Sequence, residues 1–397
     1  MSEEYWIWLQ LVLGFSSIKV PYIINHFGSA KTFYEASEKD KIRFGFLNEK
    51  EAKRLHNFSQ KDVQDIIHEC NESNINIFTP DSQLYPKRVL NIDNPPAVLY
   101  CKGEMPKIDE EVVVTIVGPR KPSEFGKRYA FKVSYSLALA GCIIVSGGAL
   151  GVDSMAHYGA MECGGKTVSV LGCGINSDYL LANNKLREKI SCNGCLLSEY
   201  PPQMGATKYS FPQRNRLLSA LGLGTVVIEA GEKSGTLITA NCAAEQGKDV
   251  FVVPGNPASA FYKGSNKLID DGAKLLLSPA TVLEEYIDRF NINYDENLDT
   301  EAQSDNLVEK YLSNTVSLRK EQKQETKVIE ELKKQELDES LSETAATIYK
   351  SILQKQFCAE DIISQMGIDL ESVILAITEL EINGLARALP GGMYSLL

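Results

Sequence analysis

The chain has 397 residues, 44% of them hydrophobic and 23% charged, with a formal net charge of −11. That length supports two or three domains with cores of their own. No apolar run reaches the roughly 18 to 20 residues that cross a bilayer, and the start MSEEYWIWLQ is acidic where a signal peptide is basic, so membrane and secreted classes are set aside and a cytoplasmic protein is expected. The nine cysteines are spread along the chain and read as reduced and mostly buried; the close pair Cys192 and Cys195 has no second pair to complete a zinc site.

Residues 1–80 show apolar spacing of three and four in YWIWLQLVLGF and VPYIINHFGSAKTFYEA, which predicts a small helical module. The stretch TPDSQLYPKRVLNIDNPPAVLYCKG is rich in proline and turn residues and reads as an extended connector into a core domain spanning 81–290. From about 111 to 288 the runs VVVTIV, IIVSG, TVSVLG, LLSE, TVVIEA, VFVVPG and KLLL alternate with helical patterns. Such alternation predicts an α/β fold, a doubly wound and mostly parallel sheet with helices on both faces.

Residues 291–340 carry 13 acids and 7 bases and read as a charged linker without a core. Residues 341–397 carry 7 acids and 3 bases, and their apolar periodicity, followed by Pro390, Gly391 and Gly392, predicts three short helices and a hairpin, the outline of a winged helix. The acidity therefore sits in the tail. Residues 1–290 are left at −1 and can carry a local basic patch.

Ligands of parallel sheets gather beyond the carboxyl ends of the strands. Three strand-to-helix turns deliver glycine there, two of them with basic residues: Gly118, Arg120 and Lys121; Gly147, Gly148 and Gly151; and Gly231, Lys233, Ser234, Gly235 and Thr236. Bare backbone and helix N-termini suit phosphate. The dinucleotide fingerprint and the P-loop are both absent, so neither NAD nor ATP is expected, and no cofactor is assigned. The segment KYSFPQRNRLLSALG adds Lys208, Arg214, Asn215 and Arg216 around Tyr209 and Phe211, a combination of charge and rings that suits single-stranded nucleic acid. Ion-paired arginines and a core phenylalanine are the competing reading. Asp153 and His157 share a helical face, but no nucleophile or oxyanion site accompanies them, which favours a structural role.

The run VTIVGPRKPSEFG, IIVSGGALGVDSMAH, GGKTVSVLGCG, SEYPP, FPQRNRLLSALG and IEAGEKSGTLITANCAAEQGKDVFVVPG resembles the DNA-processing protein A family, DprA or Smf, in motif order and from YPKRVLNIDNPPAVLYCKG onward. The resemblance implies an extended Rossmann-like core that forms a homodimer, binds single-stranded DNA without regard to sequence, protects it and delivers it to the RecA recombinase in natural transformation. It also implies a helical module of the SAM or helix-hairpin-helix kind before the core and a winged helix after it. The family's G-S-R falls on Gly118, Pro119 and Arg120, which makes Arg120 a phosphate contact, and its F-P-x-R-N-R falls on Phe211, Arg214, Asn215 and Arg216. Pro119 departs from the family serine and removes a hydroxyl and an N–H donor; Leu180 departs from the proline that follows Tyr179.

A nucleoside-monophosphate phosphoribohydrolase of the lysine-decarboxylase-like type is the alternative, but Thr239 stands where its glutamate should be, and Glu232 and Lys233 break its first glycine pair. In the winged helix Glu371, Glu379 and Glu381 lie on the expected recognition helix, with only Arg387 in the wing, so it is expected to contact protein rather than DNA. The helical module lacks the glycine-rich hairpin that clasps phosphates.

Overall fold

The computed structural model describes residues 2–179 and 183–292 and, beyond them, 308–309, 311–312, 341–351, 356–366, 368–383, 386–389 and 393–396. Internal contacts divide the chain into two units, Met1–Ser317 and Leu318–Leu397.

The first unit opens with six helices: α1 (Glu3–Leu13), α2 (Lys19–Phe27), α3 (Ala30–Glu35), α4 (Glu38–Arg43), α5 (Glu49–Asn57) and α6 (Gln60–Glu72). Their starts are written in the sequence. Ser29, Ser37, Asn48 and Ser59 each accept a backbone N–H from the first turn, and Asn48 with Glu51 and Ser59 with Asp62 close reciprocal capping boxes. Helix α1 is buried on most of its circumference, through Trp6, Ile7, Trp8, Leu9, Val12 and Leu13. It also reaches the sheet domain: Gln10 Nε2 donates to the Glu199 carbonyl at 2.9 Å, and Trp6 Nε1 donates to Asp81 at 2.6 Å. The helical module shares one apolar core with the sheet domain.

A nine-stranded sheet forms the centre, in the order β1-β2-β6-β5-β4-β3-β7-β8-β9. Its strands are β1 (Ile75–Phe78), β2 (Leu99–Gly103), β3 (Val113–Val117), β4 (Ile143–Ser146), β5 (Thr167–Leu171), β6 (Gly194–Ser198), β7 (Gly224–Val227), β8 (Asp249–Val252) and β9 (Lys274–Leu275). Strands β3 to β9 run parallel and account for the seven sequence-predicted runs; β1 and β2 add antiparallel strands at one edge. The connector thus contains β2 and a short helix, α7 (Lys87–Leu90).

Helices α8 (Glu124–Leu139) and α9 (Val152–Glu162) pack on one face with Val114, Ile116 and Ile144, and α10 (Asn184–Asn193) contributes Leu186 and Ile190 to the same core. On the other face, α11 (Ser210–Leu221) and α12 (Thr236–Glu245) pack with Val113, Val117, Val145 and Val227. Two covered faces explain why every residue of β3 to β7 is buried.

Within the stretch 291–340, read from the sequence as a linker without a core, Val308, Tyr311 and Leu312 are buried in this unit. Tyr311 stacks on Tyr158 at 4.5 Å and donates to Glu162. Apolar side chains separated by charged ones escape a composition count but still find a groove between α8 and α9. The rest of that stretch lies almost entirely outside the described residues.

The second unit contains α13 (Glu343–Ser351), α14 (Ala359–Met366) and α15 (Leu370–Ile382), with antiparallel strands β10 (Gln356–Cys358), β11 (Ala386–Leu389) and β12 (Met393–Leu396) in the order β10-β12-β11. This is the winged-helix arrangement, built on Ala345, Ile348, Ile362, Val373, Ile377 and Leu380. Leu389 faces Met393 across the wing; Pro390, Gly391 and Gly392 lie outside the described residues. Among the described residues no helix is long and apolar enough to cross a membrane.

Candidate nucleic-acid interface

The chain leaves β3 toward β4 and leaves β7 toward β8, in opposite directions along the sheet. Adjacent strands whose connections diverge open a crevice at their carboxyl ends, the usual ligand position of a doubly wound sheet. Here the crevice measures about 370 Å³, and its lining includes Gly118, Pro119, Arg120, Asp153, Phe211, Arg214, Asn215, Ser234, Gly235, Thr236 and Thr239. Of the residues that the sequence places in the three turns and the KYSFPQRNRLLSALG segment, eight therefore line one crevice: Gly118, Arg120, Phe211, Arg214, Asn215, Ser234, Gly235 and Thr236.

Charge is distributed unevenly over it. Arg120 is exposed, with its guanidinium carbon 5.2 Å from the centroid of the Phe211 ring. Phe211 is half-buried; it also packs on Tyr179, with centroids 5.1 Å apart, and lies so close to Gly172 that a Cβ there would fall 2.8 Å from it. Thr207 and Ser210 exchange backbone-to-hydroxyl bonds of 3.0 and 3.1 Å. That locked turn starts α11 and leaves Lys208 and Tyr209 outside it: Tyr209 is 66% exposed, and the Lys208 ammonium lies 5.0 Å from its ring centroid. Lys121 and Lys233 are also exposed, each beside a residue that lines the crevice.

The two arginines of α11 are placed differently. Arg214 is buried; its Nη1 donates to the Gly147 carbonyl at 2.9 Å and to the Val170 carbonyl. Gly147 has no room for a side chain: a Cβ would lie 2.7 Å from Asp153 Oδ2 and 2.9 Å from Arg214 Nη2. The bare backbone at Gly147 thus accommodates the protein's own charged groups, and a Cβ on Gly148, at φ +69°, would strike Ser169 Oγ at 2.4 Å. Burial pushes the Asp153 carboxyl up and the Arg214 guanidinium down, each opposed by the other's charge.

Arg216 does not line the crevice. Its Nη2 donates to both oxygens of Glu199, at 2.8 and 2.9 Å, and Glu199 is 2% exposed and also accepts the Ser16 N–H. The expectation that Arg216 meets phosphate is corrected: residues two apart on a helix point about 200° from each other, and this one points into the junction with the helical module. Gly235 shows the opposite case, since nothing lies within 4 Å of a Cβ placed there. Beside it Ser234 Oγ donates to Thr236 Oγ1 at 2.9 Å and accepts the Thr236 N–H, leaving the start of α12 open to the crevice.

His157 is buried in the core. Thr167 Oγ1 donates to the Ile144 carbonyl and so accepts from His157 Nδ1, at 2.7 Å, which leaves Nε2 unprotonated and without a partner; burial takes the imidazole down to about 3. Thr239 lines the crevice at the position of the hydrolase glutamate and brings no carboxyl to it. Cys195 is buried beside Met105, whereas Cys192 is exposed. Sequence reasoning did not single out Glu199 or Glu229, both acids at the ends of apolar strand runs, and that position was the available signal.

Fold and site together define a doubly wound α/β protein whose switch-point crevice has a basic, ring-bearing rim and no dinucleotide fingerprint. The family model for DNA recombination-mediator protein A matches residues 76–287, more than half of the chain, and the chain belongs to that family. It is 38% identical over 225 residues to DNA processing protein DprA of Bacillus subtilis, covering 57% of this chain and 75% of that one. It is 39% identical over 202 residues to DprA of Streptococcus pneumoniae, covering 51% and 71%. The X-ray structure of the pneumococcal DprA superposes with a TM-score of 0.64 at 29% identity, over 72% of this chain and 98% of that one. The Helicobacter pylori structure, described for its single-stranded DNA binding mode, gives a TM-score of 0.50 at 31% identity, over 55% and 99%.

Proposed function

We propose that this protein binds single-stranded DNA without regard to sequence, protects it, and hands it to a RecA-type recombinase during transformation or recombination in the cytoplasm. The observation that carries the reading is the exposed Arg120 stacked on Phe211 at the switch-point crevice, with Lys121, Lys208 and Lys233 exposed on the neighbouring turns. The cations meet backbone phosphates, and Tyr209 and Phe211 offer rings to unpaired bases, a mode that needs no base-edge readout. The single-stranded DNA binding mode described for the Helicobacter pylori relative supports the same ligand. The chemistry is binding, with no catalytic group assigned.

Fluorescence anisotropy of labelled single- and double-stranded oligonucleotides tests this. Preference for the single strand that weakens with salt is expected; equal or absent binding at low salt contradicts it. Delivery to the recombinase is tested by RecA filament growth on strands coated with single-strand-binding protein, which this protein should accelerate.

A homodimer through the core is part of the proposal. Leu275 and Leu277, on and just after edge strand β9, are 40% and 72% exposed, and Phe125, 51% exposed, stacks on Tyr129, whose hydroxyl donates to the Leu277 carbonyl. An apolar patch at a sheet edge suits a second copy. Leu277→Asp should shift sedimentation from dimer to monomer. The winged helix is proposed to contact protein: α15 exposes Ile374, Leu375 and Ile382 beside Glu371, and Glu379 is occupied in accepting from Ser342.

A further inference from the structure

Beneath the Arg120 loop lies a carboxyl group that the proposed function does not use. Glu229 ends the apolar run of β7 and is fully buried. Its Oε2 accepts the Ser123 N–H at 2.9 Å, and its Oε1 accepts the Tyr262 hydroxyl at 2.8 Å and the Ser123 hydroxyl. Three donors converging on two oxygens suit a carboxylate, which can only accept. No ion pair reaches Glu229 among the described residues, so its charge needs another source of compensation.

Helix α8 supplies it. Ser123 is its N-cap, and Gly126 in the first turn brings the helix so close that a Cβ there would fall 2.5 Å from the Glu229 carboxyl carbon. The carboxylate therefore sits on the positive end of a 16-residue helix. In a doubly wound sheet that seat, the helix N-terminus after the strand at the switch point, is where a dinucleotide's pyrophosphate binds.

We infer that Glu229 is a built-in anion that fills the phosphate seat of α8 and thereby fixes the loop 118–123, so that Arg120 and Lys121 face outward for the strand. The inference rests on the single-strand reading for its functional side. Glu229 touches no DNA; it is a positioning residue, and phosphates are met at the rim because the seat below is already taken. The core consequently leaves no place at α8 for the phosphate of a free nucleotide.

Glu229→Ala should uncover the seat: the Ser123 N–H and hydroxyl and the Tyr262 hydroxyl would face a gap that acetate fits. Single-strand affinity should fall about tenfold, the scale of one lost charge-assisted hydrogen bond. Acetate, titrated against chloride at equal ionic strength, should raise the melting temperature of this variant and recover most of the lost affinity, leaving the wild type unmoved. Glu229→Gln keeps the volume but turns an NH2 toward donors, and should be weakened without acetate rescue. If the Ala variant folds only with acetate present, the acetate dependence of refolding yield gives the same answer. An Ala variant with wild-type affinity and acetate-independent melting overturns the inference. A wild type that ignores single strands would instead remove the proposed function, and acetate-dependent melting would still decide whether α8 has this seat.

Discussion

The polar groups enclosed behind the crevice and those on its rim come from neighbouring turns and helices, yet they have opposite surroundings. Arg214, Arg216, Asp153 and His157 are enclosed and bonded respectively to carbonyls, a carboxylate, the Ala149 N–H and a hydroxyl, while Arg120, Lys121, Lys208 and Lys233 face solvent. Enclosed charges hold a structure together at a fixed geometry, and exposed ones attract a mobile polyanion. The enclosed groups should therefore control stability with little dependence on salt, and the rim should control affinity with little effect on stability. A mutant that crosses those lines breaks the comparison.

The largest effect is expected at Arg216. Arg216→Ala leaves Glu199 buried and unpaired, and should cost about 3 to 5 kcal/mol in urea unfolding, while single-strand affinity of the folded fraction stays within about threefold. His157 comes next and shows itself in pH. Its folded value is depressed to about 3, so the neutral form is favoured in the native state; the stability it contributes is complete above the unfolded value near 6.5 and is lost as pH falls toward 3. The slope should be about 1.4 kcal/mol per pH unit across that window, and His157→Gln should flatten it in melting curves taken between pH 7 and about 4.

At the rim, Arg120→Ala should weaken single-strand binding about tenfold and reduce the salt slope by about one, with stability changed by no more than about 0.5 kcal/mol. Lys233→Ala should do the same more weakly, about threefold in affinity, because a flexible ammonium holds phosphate as a point charge. Equilibrium binding at several salt concentrations resolves both.

Much of this architecture was legible in the sequence because it is local. The seven parallel strands fall on short apolar runs, β-branched in β3, β4, β5, β7 and β8 and leucine-rich at β6 and β9, and the hairpin and three helices of the tail follow from spacing. Strand β2 was not legible: its residues LYCKG follow two prolines, and it forms a strand because β6 offers an open antiparallel edge, with Tyr100 facing Ser198. In the same way, RNR announces charge, but the partner that takes Arg216 inward is Glu199, on a strand end 17 residues earlier in the chain. The glycines at 147 and 148 advertise space for a ligand in any sequence reading, and only side chains brought from α9, α11 and β5 show that the space is filled.

The most direct test compares salt dependence of single-strand binding in wild type, Arg120→Ala with Lys233→Ala, and Arg216→Ala. The division between enclosed groups and rim predicts that the rim double mutant loses most of its affinity and about two units of salt slope, while Arg216→Ala, measured below its melting range, keeps the wild-type slope. A rim mutant that binds like wild type, or an Arg216 variant that folds normally but loses the slope, would contradict it.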